Sequence, residues 1–340
     1  MTTIATLGSH CALQVLKGAK DEGFRTLVIT EKKRERFYRR FKFIDDFLVL
    51  NKFADITKPS SISFLKKKDA VIIPHGTLIS EVGAEKVENE LDIPIFGNRN
   101  ILRWEADREL KEKLIRDAGL RSPKTFSSPD EIDRLVIAKL PGARGGLGYF
   151  LAGDAESYRK NLKELQRKGV IGKNTSVFIQ EYVVGVPVYF QYFNSVMKNE
   201  LEFFGIDRRY ETTVDAIGRI PAEHQKGLLP SYIVVGNSPL VLRESLLEEA
   251  YQMGERFVNA VSRLVPPGMI GPFCIEGVYN ENAEFVTFEF SARIVAGTNL
   301  YISGSPYFSL IYDEPMSMGR RIAVEIKNGI KSKSLGKLLT

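Results

Sequence analysis

Phe273-Cys274-Ile275-Glu276-Gly277-Val278 and Phe285-Val286-Thr287-Phe288-Glu289-Phe290 are two apolar runs, each holding one carboxylate, joined by the polar turn Asn280-Glu281-Asn282. A lone carboxylate is costly to bury, so each acid needs a cation. The runs read as antiparallel strands, and in register Glu276 and Glu289 meet on one face as hard oxygen ligands for a divalent cation. Ser291 and Arg293 follow on the second strand, adding a hydroxyl and a guanidinium beside the pair. Such a set suits a metal-nucleotide site, where phosphate charge is neutralised. The competing reading is a solvent-facing pair on the polar side of a hairpin. Upstream residues weigh against it. Val136-Ile137-Ala138-Lys139 is a short apolar strand ending in lysine, and Pro141-Gly142-Ala143-Arg144-Gly145-Gly146-Leu147-Gly148 follows as a glycine-dense loop whose amides can approach phosphate oxygens.

The chain of 340 residues is long enough for two or three packed units, and its 44% apolar and 26% charged content is that of an ordinary globular protein. A net charge of +6, dispersed along the sequence, favours an anionic small molecule at least as well as nucleic acid, and the short run Lys66-Lys67-Lys68 reads as a solvated loop. Cys11 and Cys274 sit in apolar surroundings and provide no disulfide framework, as in a reduced intracellular protein. His10, His75 and His224 are too few and too scattered to predict a zinc site. Ile294 to Tyr312 is interrupted by Gly297, Asn299, Gly304 and Pro306, and no basic-then-apolar leader opens the chain. No membrane span or signal peptide is expected, and a cytoplasmic location is.

Thr3 to Leu7 reads as a strand, Cys11 to Glu22 as a helix and Thr26 to Thr30 as a strand, a βαβ unit that implies a parallel sheet. Gly8-Ser9-His10 then lies on the rim where such sheets face ligands, although one glycine makes no dinucleotide fingerprint. Asp69 to Pro74 is a further strand that places His75-Gly76-Thr77 on the same rim, so the two loops are expected to converge. A helix is predicted from Ile101 to Ala118, closed by Gly119, with Lys113 reading as solvated on local grounds. Asp130 to Arg134 and Ala155 to Lys168 read as helices packed on the strand ending in Lys139. Val177 to Val183 is a strand leading to a hinge at Gly185 and Pro187. Tyr189 to Phe193 and Leu201 to Ile206 pair, and the charge run Asp207-Arg208-Arg209-Tyr210-Glu211 reads as their solvated end.

In their order, Leu110-Lys111-Glu112-Lys113 through Gly119 and Pro123, Lys139 with its glycine loop, Gln180-Glu181-Tyr182-Val183, and Phe288-Glu289-Phe290-Ser291-Ala292-Arg293 resemble the ATP-grasp ligases. Thr6 to His10, Phe96 to Arg99, Leu102 to Glu105, Pro141 to Gly146, Arg243 to Leu247 and Ser291 to Asn299 narrow the resemblance to one family. These segments, spread over nearly the whole chain, resemble PurP, the archaeal folate-independent 5-formaminoimidazole-4-carboxamide ribonucleotide (FAICAR) synthetases.

The resemblance implies an α/β and α+β architecture, an ATP-grasp fold behind an N-terminal parallel-sheet (Rossmann-like, pre-ATP-grasp) domain. The expected units are residues 1–98 as that domain, 99–123 as a linking helix, 124–184 as a small lid and 185–340 as the C-terminal unit with the metal site. The implied reaction joins formate to the 5-amino group of AICAR at the expense of ATP, giving FAICAR, ADP and phosphate in IMP biosynthesis. Implied with it are ATP, Mg²⁺ or Mn²⁺ in its place, and a homo-oligomer. By the same resemblance, Lys113 and Lys139 contact ATP phosphates and the loop of Arg144, Gly145 and Gly146 closes over them. Glu181 and Val183 face adenine, Glu211 holds the ribose, and Glu276 and Glu289 hold the metal, aided by Ser291. Ser9, His10, Thr77 and Asn237 hold AICAR, and Arg293 stands near an acyl phosphate. This chain departs from the family at Leu147, where a basic residue is usual, at Thr77 (serine) and at Gln191 (histidine). Thr213, His224 and Ser303 likewise replace asparagine, aspartate and asparagine. Two other readings follow: a paralogue acting on another amine and acid, and a catalytically silent nucleotide-binding relative. Lys139, Glu276 and Glu289 weigh against the second.

Overall fold

Apolar runs alternating with amphipathic helices build a parallel sheet in the first hundred residues of the computed structural model, which describes residues 2–144, 147–172, 175–225, 228 and 231–340. The elements are β1 (Thr3–Leu7), α1 (Ala12–Asp21), β2 (Arg25–Glu31), α2 (Lys32–Tyr38), β3 (Asp46–Leu50), α3 (Pro59–Lys67), β4 (Ala70–Ile72) and α4 (Ala84–Asn89). The strand order is β3-β2-β1-β4, all parallel. Every residue of β1 is buried, as helix-covered faces require of a parallel sheet.

The helix predicted from Ile101 to Ala118 is two helices, α5 (Ile101–Ala106) and α6 (Arg108–Asp117). Asp107 leaves the helical region at ψ 127° and accepts the Leu110 N–H at 3.0 Å, so an N-cap interrupts what side-chain periodicity reads as continuous. The next strands, β5 (Thr125–Phe126), β6 (Val136–Arg144), β7 (Leu147–Ala152) and β8 (Phe178–Glu181), form an antiparallel sheet of order β5-β8-β6-β7. Helix α7 (Ala155–Arg167) closes a small core of Val136, Ala138, Ile179 and Tyr158. The helix expected at Asp130 to Arg134 is a single 3₁₀ turn, Pro129–Glu131, because Ile132 is already extended at ψ 109°.

The C-terminal half holds β9 (Val186–Ser195), β10 (Glu200–Glu211), α8 (Val214–Ile217), β11 (Val234–Pro239), α9 (Leu247–Leu264), β12 (Gly271–Tyr279), β13 (Phe285–Ser291) and α10 (Met318–Lys331). The strands form one antiparallel sheet, β11-β10-β9-β12-β13. Side chains alternate along β9: Val188, Phe190 and Tyr192 join the core that includes Phe257 of α9, and Tyr189 and Gln191 point to the opposite face. That opposite face carries the site. Asp207-Arg208-Arg209-Tyr210-Glu211 is no solvated end but the continuation of β10, flanked by β11, and Asp207 is fully buried. Helix α10 returns to α1, where Gly18 and Gly319 meet; a Cβ on either would strike the other helix's backbone. Among the described residues no helix is long and apolar enough to cross a membrane.

Candidate active site

Glu276 of β12 and Glu289 of β13 are direct cross-strand partners, and the register shift immediately after them does not separate the pair. Ser291 donates from Oγ to Glu276 Oε1 at 2.8 Å, and Arg209 Nη1 lies 3.0 Å from Oε2. The Arg209 guanidinium lies over the Tyr189 ring, 3.6 Å from its centroid, which fixes its plane. Glu289 accepts from Lys111 Nζ. Burial lowers the Lys111 pKa, but the Glu289 charge and hydrogen bond, with the charges of Glu105 and Glu276, together raise it and hold the ammonium protonated. Lys139 of β6 donates to Gln180 Oε1 at 2.9 Å; burial lowers its pKa, Glu289 opposes, and Arg108 and Lys111 add to the lowering. Three cations from three elements, α6, β6 and β10, thus converge on two acids.

Lys113 is not among them. It is exposed, with its ammonium 5.9 Å from the Trp104 ring centroid. Two residues along a helix is about 200° of rotation, so only one of Lys111 and Lys113 can face β13, and the structure selects Lys111.

Arg293 is held at the second end of the site. Glu105 of α5, buried, accepts from Arg293 Nη2 at 2.7 Å and from the Ala292 N–H at 2.9 Å. Burial raises the Glu105 pKa and the Arg293 charge works against that rise. Across from Arg293, the two rim loops meet. His10 Nδ1 lies 2.8 Å from Thr77 Oγ1 and 3.1 Å from Ser9 Oγ, hydroxyls that can serve either tautomer of the ring. Burial, then Arg293, Arg34 and Arg209, lower the His10 pKa to about 4, so the ring is neutral at physiological pH. His10 adopts φ +45°, a region few non-glycine residues occupy. A Cβ added to Gly76 would lie 3.3 Å from both Arg293 Nη2 and His10 Nε2, so glycine lets these two groups approach.

Asn237 of β11 donates from Nδ2 to Asp207 Oδ2 at 2.7 Å, and Gln191 donates from Nε2 to Asp207 Oδ1 at 2.7 Å. Glu211, at the end of β10, is half-buried; burial and then Asp215 raise its pKa to about 7. The Glu181 carboxylate, at the end of β8, accepts from the Lys124 N–H at 3.0 Å and from Arg134 Nη1 at 3.2 Å, two residues before Val183. A cleft of about 500 Å³ flanks this segment, lined in part by Arg121, Tyr182, Val183 and Val286, apart from the lysines and the carboxylate pair. Gly145 and Gly146, and the side chains of Arg144 and Leu147, lie outside the described residues. Thr213, His224 and Ser303 are exposed, whereas Thr77 and Gln191 are buried within the site.

Residues 4–126 match a family described as a protein of unknown function (DUF1246), and residues 157–340 one described as a domain of unknown function (DUF1297). Over 342 residues the chain is 54% identical to the 5-formaminoimidazole-4-carboxamide-1-(beta)-D-ribofuranosyl 5'-monophosphate synthetase of Nitrosopumilus maritimus, covering 100% of both chains. The chain belongs to this synthetase family. A further synthetase, from Methanocaldococcus jannaschii, is 47% identical over 99% of this chain and 95% of its own. The crystal structure of the IMP biosynthesis protein PurP from Thermococcus kodakaraensis superposes with a TM-score of 0.80 at 29% identity, covering 99% of this chain and 100% of that one. The N5-carboxyaminoimidazole synthetase of Staphylococcus aureus, complexed with ADP, matches at TM-score 0.65 and 14% identity over 95% of this chain and 77% of its own, a likeness of fold alone. The fold is that of the ATP-grasp enzymes.

Within this synthetase family member, sequence reasoning missed Lys111, Glu105, Arg209 and Asp207. A period-two reading of Asp207, Arg209 and Glu211 on one face of a strand is the signal that finds the last two. Nothing local marks Glu105 or chooses Lys111 over Lys113.

Proposed function

We propose that the chain formylates the 5-amino group of AICAR with formate and ATP, giving FAICAR, ADP and phosphate. The observation that carries this reading is the opposed Glu276–Glu289 pair ringed by Lys111, Lys139 and Arg209, with Arg293 and the Ser9–His10–Thr77 rim beside it. Two adjacent carboxylates on rigid strands fit Mg²⁺, which takes one or two carboxylates and completes its shell with phosphate oxygens and water. Among the described residues no third acid, histidine or cysteine joins them, which agrees with that division of ligands. Glu276 and Glu289, with Ser291 beside them, would hold the ion, which when bound supplies charge neutralisation at the phosphates.

The reaction runs in two transfers. A formate oxygen attacks the γ-phosphorus, the bond to the β-phosphate oxygen breaks, and ADP leaves; formyl phosphate now carries a leaving group that formate lacked. The AICAR amine then attacks the formyl carbon, phosphate leaves with the bonding pair, and the amine gives up one proton. Lys111 and Lys139 meet the charge of the transferring phosphoryl, and Arg293, fixed by Glu105, meets the acyl phosphate oxygens. Neutral His10, held at Nδ1 by the Ser9 and Thr77 hydroxyls, presents Nε2 to the ribonucleotide. No protein nucleophile is needed.

ADP release by the purified protein, measured with Mg-ATP and formate with and without AICAR and paired with mass detection of the product, tests the reading. AICAR-dependent ADP release matched by FAICAR is the expected result. ADP release that depends on a different amine or acid would replace AICAR and leave the carboxylate site standing.

A further inference from the structure

Residues 32–43 hold seven cations and one acid, a run of charge that the reaction described above does not use. The acids in and beside it are already taken, Glu31 by Lys33 at 2.9 Å and Glu35 by Arg39 at 2.6 Å. Arg34 differs from those two cations. Among the described residues it pairs with no carboxylate, and its guanidinium makes a single hydrogen bond, from Nη1 to the Gly8 carbonyl at 3.4 Å, the long end of the range. A guanidinium has five N–H donors, so most of those on Arg34 stand unused beside the loop Gly8-Ser9-His10.

The fold brings Arg34 to that loop. In the order β3-β2-β1-β4, successive strands run from β1 to β3 on one side, and the chain then returns to lay β4 on the other. The crevice between the ends of β1 and β4 is therefore the switch point, where open parallel sheets take ligands. The loops that end those two strands meet across it through His10 and Thr77. Helix α2, which follows β2, packs on the first loop at Gly8, where a Cβ would lie 2.6 Å from the Tyr38 ring. Arg34 thus reaches the crevice from the β2 side, and Arg293 reaches it from the β4 side, because His75 after β4 bridges to Ile294. The charges of both lower the His10 pKa. Arg293 is tied to buried Glu105, whereas Arg34 is left to take an anion from outside the chain. β2 and β4 are two strand intervals apart, about 10 Å, a span on the scale of one mononucleotide.

We infer that Arg34 is the phosphate anchor of the acceptor ribonucleotide: it takes the 5′-phosphate on the β2 side of the crevice while the reacting amine lies toward Arg293. The inference rests on the proposed AICAR reaction and adds to it the group that holds the far end of the acceptor. A guanidinium whose fork is unoccupied suits a phosphate monoester, which accepts two parallel N–H bonds, better than it suits an uncharged ribose or base. Arg36, two residues on, lies about 200° round α2 and does not share that face. The other cations of the run add a positive field that raises the local concentration of anions.

The test measures binding by calorimetry with AICAR and with its riboside, which lacks only the phosphate, in the wild-type protein, Arg34→Gln and Arg36→Gln. Arg34→Gln is expected to weaken AICAR binding by about 10- to 100-fold and to leave the riboside within about twofold. Arg36→Gln should leave both within about twofold. In turnover, Arg34→Gln should raise the KM for AICAR and keep the KM for ATP within about twofold, a split that a merely structural role would not produce. Unchanged AICAR affinity in Arg34→Gln overturns the inference, as does an equal loss for the riboside. An equal loss in Arg36→Gln overturns it too, by assigning capture to the general field and not to one site. Should Arg34→Gln not fold, Arg34→Lys keeps the charge without the fork and is expected to weaken AICAR but not the riboside; unchanged AICAR affinity there overturns the inference as well. Wild-type protein that prefers AICAR to the riboside but makes no FAICAR would sink the ligase reading and leave the anchor standing. Wild-type protein that makes FAICAR yet binds the two equally would sink the anchor alone.

Discussion

Two clusters of acids and cations sit on the same C-terminal sheet and differ in how they are closed. In the first, Arg321 of α10 meets Glu202 through two nitrogens at 2.7 and 3.0 Å and Glu325 through a third at 2.8 Å. Ser195 donates to Glu325 at 3.0 Å, Tyr312 donates to Glu202 at 2.8 Å, and all three charged side chains are sealed from solvent. In the second, Glu276 and Glu289 each receive a single cation, Arg209 or Lys111, and Glu289 stays half-exposed. The first cluster fastens α10 to the sheet with forked, saturated contacts. The second gathers cations one at a time, Lys111 from α6 and Arg209 from β10, so those cations can trade partners when a phosphate arrives. Saturation by the protein marks a structural charge cluster, and shared single contacts mark one that can bind.

The largest effect expected from this contrast comes from exchanging the two clusters' roles by mutation. Arg321→Met leaves Glu325 buried without its cation and Glu202 with Lys198 alone, and should lower the unfolding free energy by about 3–5 kcal/mol, read by urea denaturation. Glu289→Gln should keep the melting temperature within a few degrees while turnover drops at least about 10³-fold, roughly 4 kcal/mol of transition-state stabilisation. If Glu289→Gln destabilised the fold as much as Arg321→Met, the distinction between the clusters would be gone.

A smaller effect separates two lysines on one helix. Lys111→Ala should lower kcat/KM for ATP by about 10²-fold, and Lys113→Ala should leave it within about twofold. Equal losses would mean that α6 turns on binding ATP.

The smallest expected effect concerns pH. His75 is buried against the Leu7 carbonyl at 2.8 Å, and burial, then His10, lower its pKa from 6.5 to about 3. The unfolded chain therefore binds a proton in that window that the folded one refuses. Its contribution to stability is complete above pH 6.5 and declines as the pH falls toward 3, with a slope of at most about 1.4 kcal/mol per pH unit. His75→Gln should flatten the stability curve between pH 6 and 4; a curve of unchanged slope would show that His75 does not contribute.

Much of the site was legible because its signals are local. Acids inside apolar strands, a strand-end lysine before glycines and a rim loop after β1 are each readable within a few residues, and the pairing of Glu276 with Glu289 followed from hairpin register. The departures have equally particular causes. Periodicity continues through Asp107, but a capping carboxylate breaks the helix there. The run Asp207 to Glu211 has the composition of a solvated end, yet β11 and the segment through Gly297 cover it, which turns Asp207 and Arg209 inward.

The sequence by itself determined the parallel N-terminal sheet, the hairpin with its two acids and the order of motifs that places the chain among the ATP-grasp enzymes, because each depends on contacts between near neighbours. Only the tertiary structure decided that Lys111 and not Lys113 faces Glu289, that Glu105 fixes Arg293, and that Asp207 holds Asn237. Those choices depend on how helices and strands distant in sequence rotate and pack against one another, and no local pattern records that rotation.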